Sequence, residues 1–299
     1  MFWLRPETAM WRELDIRAMQ QFEFLSPSLD LGCGDGVFSF IRSGGMFDQS
    51  YDAFRSVSNL EQFFENVDVF DSFDNTKKPI VVQKPAYEID LGFDHKENLL
   101  KKADQLNFYR SLRQGDANKQ LPFKDNSFNS VFSNIVYWLD EPDLVINEIA
   151  RILSPGGKVC LMLPNDTLPE FSFYNELYLK SKNVKWKFLE KLDRGRFSAN
   201  IRHARTQQAW EKMFNNSELK INEHVSHLSD TTVKIWDIGL RPLFPVLLKM
   251  TNSLDKENLL KIKQEWIETL REFLEPIILM DDELGEGLAP AFHCYILEK

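Results

Sequence analysis

The stretch Leu29-Asp-Leu-Gly-Cys-Gly-Asp-Gly36 limits what this chain can fold into more than any other. Ser28 to Leu31 reads as a short strand, glycines follow at 32, 34 and 36, and Val37-Phe-Ser-Phe-Ile41 reads as the start of a helix. Glycine lets the backbone turn sharply and pass close to a ligand, and the first turn of the next helix offers unpaired amides at its positive dipole end. Strand, tight turn and helix thus form a docking place for a polar, anionic group, although a GxG alone is also an ordinary glycine-rich turn. The spacing is GxGxG. The dinucleotide fingerprint GxGxxG has its third glycine one residue later, where helix and strand pack, so a dehydrogenase is disfavoured.

The elements around that turn predict an alternating fold. Residues 6 to 24 place Ala9, Met10, Leu14, Ile16, Met19 and Phe22 at imperfect helical spacing behind a proline suited to a first turn. Residues 43–87 are irregular and read as an insertion. Beyond them, 87–93, 112–115, 130–137 and 158–163 read as strands, with helices at 97–106 and 142–153. Strands alternating with helices imply an α/β fold with a doubly wound, mostly parallel sheet. After Pro164, aromatic-rich helical stretches at about 166–215 and 232–288 flank a strand at about 218–226, and an apolar strand at about 290–297 closes the chain. Leu259, Ile262, Trp266, Leu270, Phe273 and Ile277 keep helical spacing over five turns, which predicts one amphipathic helix. The expected organisation is a core over 1–165 containing the 43–87 insertion, then 166–299 supplying a helical cap and the last two strands of the same sheet.

Four further pieces follow the glycine turn. A strand ends at Gly92-Phe-Asp94, and an acid at the tip of the second strand is placed to accept hydrogen bonds from both hydroxyls of a ribose. Gly115-Asp-Ala117 follows the third strand, where a carboxylate can accept from an exocyclic adenine amine. Leu121-Pro-Phe-Lys-Asp-Asn-Ser-Phe128 leads into Val131 to Trp138, and Arg151-Ile-Leu-Ser-Pro-Gly-Gly157 precedes the fifth strand.

In that order, over roughly residues 25–165, the chain resembles class I S-adenosylmethionine-dependent methyltransferases, specifically the ubiquinone and menaquinone methyltransferase-like (type 11) group. The resemblance implies a Rossmann-like core with helical cap insertions and S-adenosylmethionine as cofactor. It implies that Gly32, Gly34 and Gly36, with Cys33 between them, approach the methionine moiety and ribose, and that Asp30 lies near the cofactor's amino group. Asp94 then holds the ribose hydroxyls, Asp116 with Ala117 frames the adenine, and His95 lies beside the adenosine. Ser133 and Asn134 match the end of the fourth strand, which contacts cofactor and faces substrate. Two departures stand out. The segment before Asp94 is far longer than the roughly 20 residues usual in this unit, and Tyr137-Trp138 stands where many relatives carry a His pair or other polar residues.

A sulfonium makes its methyl group a strong electrophile, so the protein's task is to align acceptor, methyl and sulfur and to exclude water. No His, Cys and carboxylate cluster has metal-ligand spacing, and metal independence is expected. A hydroxyl acceptor would need a base near neutral pKa, and among five histidines His203, in Asn200-Ile-Arg-His-Ala204, is the preferred candidate, with packing inside the cap as the alternative. Tyr137, the second catalytic candidate, and Trp138 can present aromatic faces to the sulfonium or to a flat substrate, a cation over such a face gaining about 0.5–2 kcal/mol. At least one of the two is expected in the core, because adjacent strand residues point to opposite faces. Arg202 and Arg205 could bind an acidic acceptor, and Asp281 to Glu286 could attract a cationic one or form a solvated loop.

Lys and Arg number 36 against 45 Asp and Glu, a net charge of −9, which disfavours nucleic acid as partner. The three cysteines, Cys33, Cys160 and Cys294, have no CxxC spacing, and no stretch approaches a membrane span. The N-terminus lacks a secretory signal, so a cytoplasmic protein is expected. The function expected is methyl transfer, O- or N-directed, to a small-molecule acceptor. The alternatives are a non-catalytic binding protein that keeps the fold, and a methyltransferase acting on a macromolecule. Acceptor identity and oligomeric state stay open at this point.

Overall fold

Strands covered by helices on both faces are buried at every position, and such strands read as continuous apolar runs rather than as alternations. The computed structural model describes residues 1–52, 78–193, 196–238, 244–284 and 289–299. Nine strands lie within them: β1 Ser28–Leu31, β2 Met46–Phe47, β3 Val81–Gln83, β4 Ile89–Asp94, β5 Tyr109–Gln114, β6 Phe128–Ser133, β7 Leu153–Pro164, β8 Lys220–His227 and β9 Phe292–Glu298. Seven of them make one sheet in the order β5-β4-β1-β6-β7-β9-β8. β1 is buried throughout and lies inside the sheet, pairing in parallel with β4 on one side and β6 on the other.

The chain leaves β1 for β4 and β5 on one side, then crosses to β6 and β7 on the other. The crevice between β1 and β6 is therefore the topological switch point, where open α/β sheets bind ligands beyond their carboxyl ends. β9 is antiparallel to both β7 and β8, so β8 runs with the core strands and its last residue, His227, reaches the same edge. The sheet is mostly parallel and doubly wound, as the alternating pattern implies.

Three strands depart from the runs the sequence suggests, and one of them, β7, begins at Leu153 rather than Lys158. The fourth run, expected over 130–137, leaves the sheet at Ser133 and turns through a short 3-10 helix, Val136–Trp138. Ser133 drives the exit: its hydroxyl donates to the Leu31 carbonyl at 2.9 Å and accepts the Ile135 amide at 3.4 Å. The third run begins at Tyr109 rather than Leu112, and its polar start belongs to an edge strand, where Arg110 pairs with Asp90 at 2.8 Å.

A leading helix, Pro6–Ala18, buries Met10, Leu14 and Ala18, with its proline in the first turn. The long amphipathic helix runs Lys256–Leu284. Its Asp281, in the run read as an attractor or a solvated loop, is buried and takes the Leu228 and Ser229 amides at 3.1 and 2.7 Å, tying the end of β8 to the helix Asp230–Ile238. Glu286 lies outside the described residues. Of the 43–87 insertion, β2 and β3 pair antiparallel, and residues 53–77 lie outside the described part. No helix among the described residues is long and apolar enough to cross a membrane.

Candidate functional site

The three glycines of the turn do different work. Gly32, Gly34 and Gly36 all sit at positive φ, +84°, +56° and +72°. A methyl group added at Gly32 would stand 2.5 Å from the Ile135 side chain, and one at Gly36 would stand 2.7 Å from the Tyr109 ring. Those two let neighbouring elements close on the turn. At Gly34 the nearest atom is Leu99 Cδ1 at 4.0 Å, so the absent side chain leaves space there. Asp35, one residue before the N-cap Gly36 of the helix Val37–Arg42, accepts the Val37 amide at 3.1 Å.

Asp94 closes that space from the tip of β4. Its Oδ2 accepts the Gly34 amide at 3.0 Å and its Oδ1 accepts the Lys96 amide at 2.8 Å. Two backbone donors fix the carboxylate, and it keeps lone pairs for further donors. His95, largely exposed, lies 3.5 Å from Oδ1. Asp30, one strand away, is buried, and its Oδ2 accepts from the Ser39 and Tyr109 hydroxyls at 2.6 and 2.7 Å. Burial raises its pKa to about 6, opposed by those two hydrogen bonds. The Cys33 thiol is pushed up by burial and then by Asp30 and Asp94, so it stays protonated.

At the end of β5, Gly115 donates its amide to the Asp94 carbonyl at 3.0 Å, which brings the next loop against the cradle. Asp116 is half exposed and accepts the Asn118 amide at 2.9 Å, a bond that lowers its pKa. Ala117 is buried behind it. Asn118 in turn accepts the Asp140 amide at 2.7 Å. Gly34, Asp94, Asp116 and Ala117 therefore ring the carboxyl ends of β1, β4 and β5. Ser133 is fully buried in the hydrogen bonds that turn β6 outward, and Asn134, half-buried, follows it.

The residues expected on the acceptor side separate. Tyr137 is buried, edge-on to Phe292 at 5.6 Å, and burial raises its pKa strongly. Trp138 is exposed and donates its indole N–H to Asn200 at 3.1 Å. His203 is hydrogen-bonded to the Leu139 backbone, and its Nε2 is buried without a partner. Its pKa is lowered by burial and by Arg202 and Arg205. Those arginines hold Asp140 and Asp143 at 2.9 and 3.4 Å, so they clamp the 200–205 segment over the turn after β6.

The leading helix brings groups that sequence reasoning passed over. Arg12 stands 5.0 Å over the Phe38 ring, just behind the glycine turn. Asp15, one turn later, faces His227 at 3.1 Å. Trp11 packs edge-on to Phe292 at 5.3 Å and against Trp236 at 4.5 Å. The available signal was a carboxylate set into an apolar helical face, with Met10, Leu14 and Ala18 around Asp15.

Residues 82–161 match a family model described as a methyltransferase domain, a stretch that runs from β3 through most of β7 and begins after the glycine turn. No curated protein matches the sequence. Among solved structures, the chain is similar to an S-adenosylmethionine-dependent methyltransferase from Thermotoga maritima described as a possible histamine N-methyltransferase. That likeness has 14% identity over 76% of this chain and 78% of the other, with a TM-score of 0.45. A second, an S-adenosylmethionine-dependent methyltransferase from Mesorhizobium loti, has 14% identity over 95% and 96%, TM-score 0.45. A third, the geranyl diphosphate C-methyltransferase from Streptomyces coelicolor, has 12% identity over 97% and 77%, TM-score 0.44.

Proposed function

We propose that this chain, whose residues 82–161 match a methyltransferase-domain model, is a class I S-adenosylmethionine-dependent methyltransferase of the type 11 group that moves a methyl group to a small, partly apolar acceptor at an oxygen or nitrogen. The observation that carries this reading is the open cradle at Gly34 facing an anchored Asp94. The fit to the cofactor is chemical. A ribose brings hydroxyl donors, and Asp94 offers acceptors already fixed by two amides. A sulfonium and an ammonium bring positive charge, and Asp30, Asp35 and Asp94 surround the turn.

Gly34 lets the backbone approach the methionyl part, Asp94 holds the ribose, and Asp116 with Ala117 borders the adenine, with His95 at the rim. Arg12, over Phe38, takes the methionyl carboxylate. The bound cofactor supplies an electrophilic methyl group. The protein's own part is to align the acceptor and exclude water, which by orientation alone lowers barriers by about 7–11 kcal/mol in the best intramolecular cases. Trp11, Tyr137, Trp236 and Phe292 supply the apolar wall beside this cradle.

A small molecule is favoured over nucleic acid because the arginines beside the site are already paired with Asp140 and Asp143. A cytoplasmic place of action belongs to the same reading. The test is methyl-labelled S-adenosylmethionine offered with fractionated metabolite extract, protein or RNA. Label entering the small-molecule fraction is the expected result, and label entering only protein or RNA overturns the choice of acceptor.

A further inference from the structure

One stretch of the cap departs from the charge of the rest of the molecule. The whole chain carries 45 acidic against 36 basic side chains, yet residues 180–188, Lys-Ser-Lys-Asn-Val-Lys-Trp-Lys-Phe, hold four lysines and no carboxylate. The same residues include Val184, 76% exposed and the most exposed large apolar side chain among the described residues, and Phe188, 52% exposed. Trp186 between them is half-buried. A solvated connection between helices needs polar residues only, and this one interleaves its cations with uncovered apolar side chains.

The stretch has a built shape. It follows the helical turn Tyr174–Leu179, onto which the Ser181 hydroxyl bonds back at the Leu177 carbonyl and the Lys182 amide at the Tyr178 carbonyl, the latter at 2.8 Å. Asn183 caps the short 3-10 turn Val184–Trp186, its side chain accepting the Lys185 amide at 3.0 Å, and the Trp186 amide donates to the Asn183 carbonyl at 2.9 Å. Leu189, 5% exposed, anchors the far end. With its amides bonded inside the turn, the backbone presents Val184 and Phe188 outward without unmet polar groups. The Trp186 and Phe188 rings stand 5.9 Å apart, and Lys185 Nζ lies 5.3 Å over the Trp186 ring. Lys180 pairs with Glu176, whereas among the described residues no carboxylate pairs with Lys182, Lys185 or Lys187.

We propose that this tip docks on an anionic lipid bilayer, with Val184, Trp186 and Phe188 entering the headgroup region and Lys182, Lys185 and Lys187 meeting the lipid anions. Indole rings settle at the boundary between water and hydrocarbon, and a lysine stem lies along apolar surface while its ammonium reaches outward. A negative surface strengthens binding about fivefold for each lysine close to it. The acidic remainder of the chain is repelled, but charges farther than about 8 Å are screened at physiological salt, so the tip alone faces the surface. Single-stranded RNA suits these residues less well: the stretch has no arginine to grip phosphate in two places, and Val184 has no face on which a base can stack. No helix among the described residues can cross the bilayer, so the contact is peripheral. Nothing in the docking depends on a bound cofactor.

The test is sedimentation of the full chain with vesicles of phosphatidylcholine alone, or of equal parts phosphatidylcholine and phosphatidylserine. The wild type is expected to partition at least about tenfold more strongly onto the mixed vesicles, and less strongly as salt is added. Lys182→Glu combined with Lys187→Glu should lower that partitioning about 25-fold or more, at about fivefold per lysine. Val184→Ser combined with Phe188→Ser keeps every lysine and should still lower it at least about tenfold, through the lost apolar contact. Brominated acyl chains should quench tryptophan fluorescence in the wild type and clearly less in Trp186→Phe. The lysines, Val184 and Phe188 are all exposed, so the circular dichroism of the fold should be unchanged. Should the serine pair loosen the cap, the lysine pair and the quenching decide. Equal partitioning onto both vesicle types, none onto either, full partitioning of the lysine pair variant, or equal quenching in Trp186→Phe overturns the proposal. So does binding to a single-stranded RNA homopolymer with none to the mixed vesicles.

Discussion

The proposed cofactor side, around Gly34 and Asp94, and the region around His227 share one sheet edge but are built in opposite ways. Around Gly34 and Asp94 the parts come from short loops directly after β1, β4 and β5, and backbone amides hold them: Gly34 to Asp94, Lys96 to Asp94, Gly115 to the Asp94 carbonyl. Around His227 the parts come from the leading helix, the turn after β6 and the last two strands, and side chains hold them: Asp15 to His227, Trp11 to Phe292, Tyr137 to Phe292. Backbone-held geometry tolerates change in the surrounding side chains. Side-chain-held geometry is free to vary with the acceptor.

The largest expected effect separates two glycines within the cofactor side. Gly32→Ala combines positive φ with a 2.5 Å approach to Ile135 and should cost about 3 kcal/mol of stability, seen as a lowered melting temperature. Gly34→Ala should cost only about 1 kcal/mol, yet weaken S-adenosylmethionine binding at least about tenfold by filling the open space. Equal destabilisation by both would erase the distinction between packing and ligand glycines. Next, Asp94→Ala should weaken S-adenosylhomocysteine about 100-fold, since hydrogen bonds to a charged group are worth about 1.5–3 kcal/mol each, with the circular dichroism of the fold retained.

Acid titration should then sharpen the contrast, because the two sides carry shifts of opposite sign. Asp30, raised to about 6 by burial, binds its proton more tightly folded than unfolded. Its contribution is full below about pH 4 and is lost as pH rises through 6. Asp30→Asn should therefore raise stability at pH 7 by about 3 kcal/mol and flatten that interval. His293, lowered to about 3 by burial and by His224 and His227, contributes stability above about pH 6.5 that is lost as pH falls through 3. Denaturant titrations of Asp30→Asn and His293→Gln should thus change slope in opposite directions, and parallel changes would refute these assignments. Smallest of all, Arg202→Ala removes an exposed ion pair to Asp140 and should cost under about 1 kcal/mol, without altering cofactor affinity.

The same contrast explains what the amino-acid sequence disclosed. The glycine turn and the acid that ends β4 depend on local backbone geometry, so residue type at fixed spacing reveals them. The end of β6 was less legible: Ile135, Val136 and Tyr137 are apolar enough to extend a strand, and only the Ser133 hydroxyl reaching across to Leu31 turns the chain away. Arg202 and Arg205 look free in sequence because Asp140 and Asp143 are about 60 residues distant in the chain. The Asp15–His227 pair joins residues 212 apart, and nothing in either neighbourhood names the other. Sequence spacing carries backbone-held sites well and side-chain-held ones poorly.

The most direct measurement is calorimetric titration of the purified protein with S-adenosylmethionine and S-adenosylhomocysteine, each repeated with Asp94→Ala. The account predicts micromolar binding of both by the wild type and a large loss in the variant. A folded wild type that binds neither, or an Asp94→Ala variant that binds as tightly as the wild type, would contradict it.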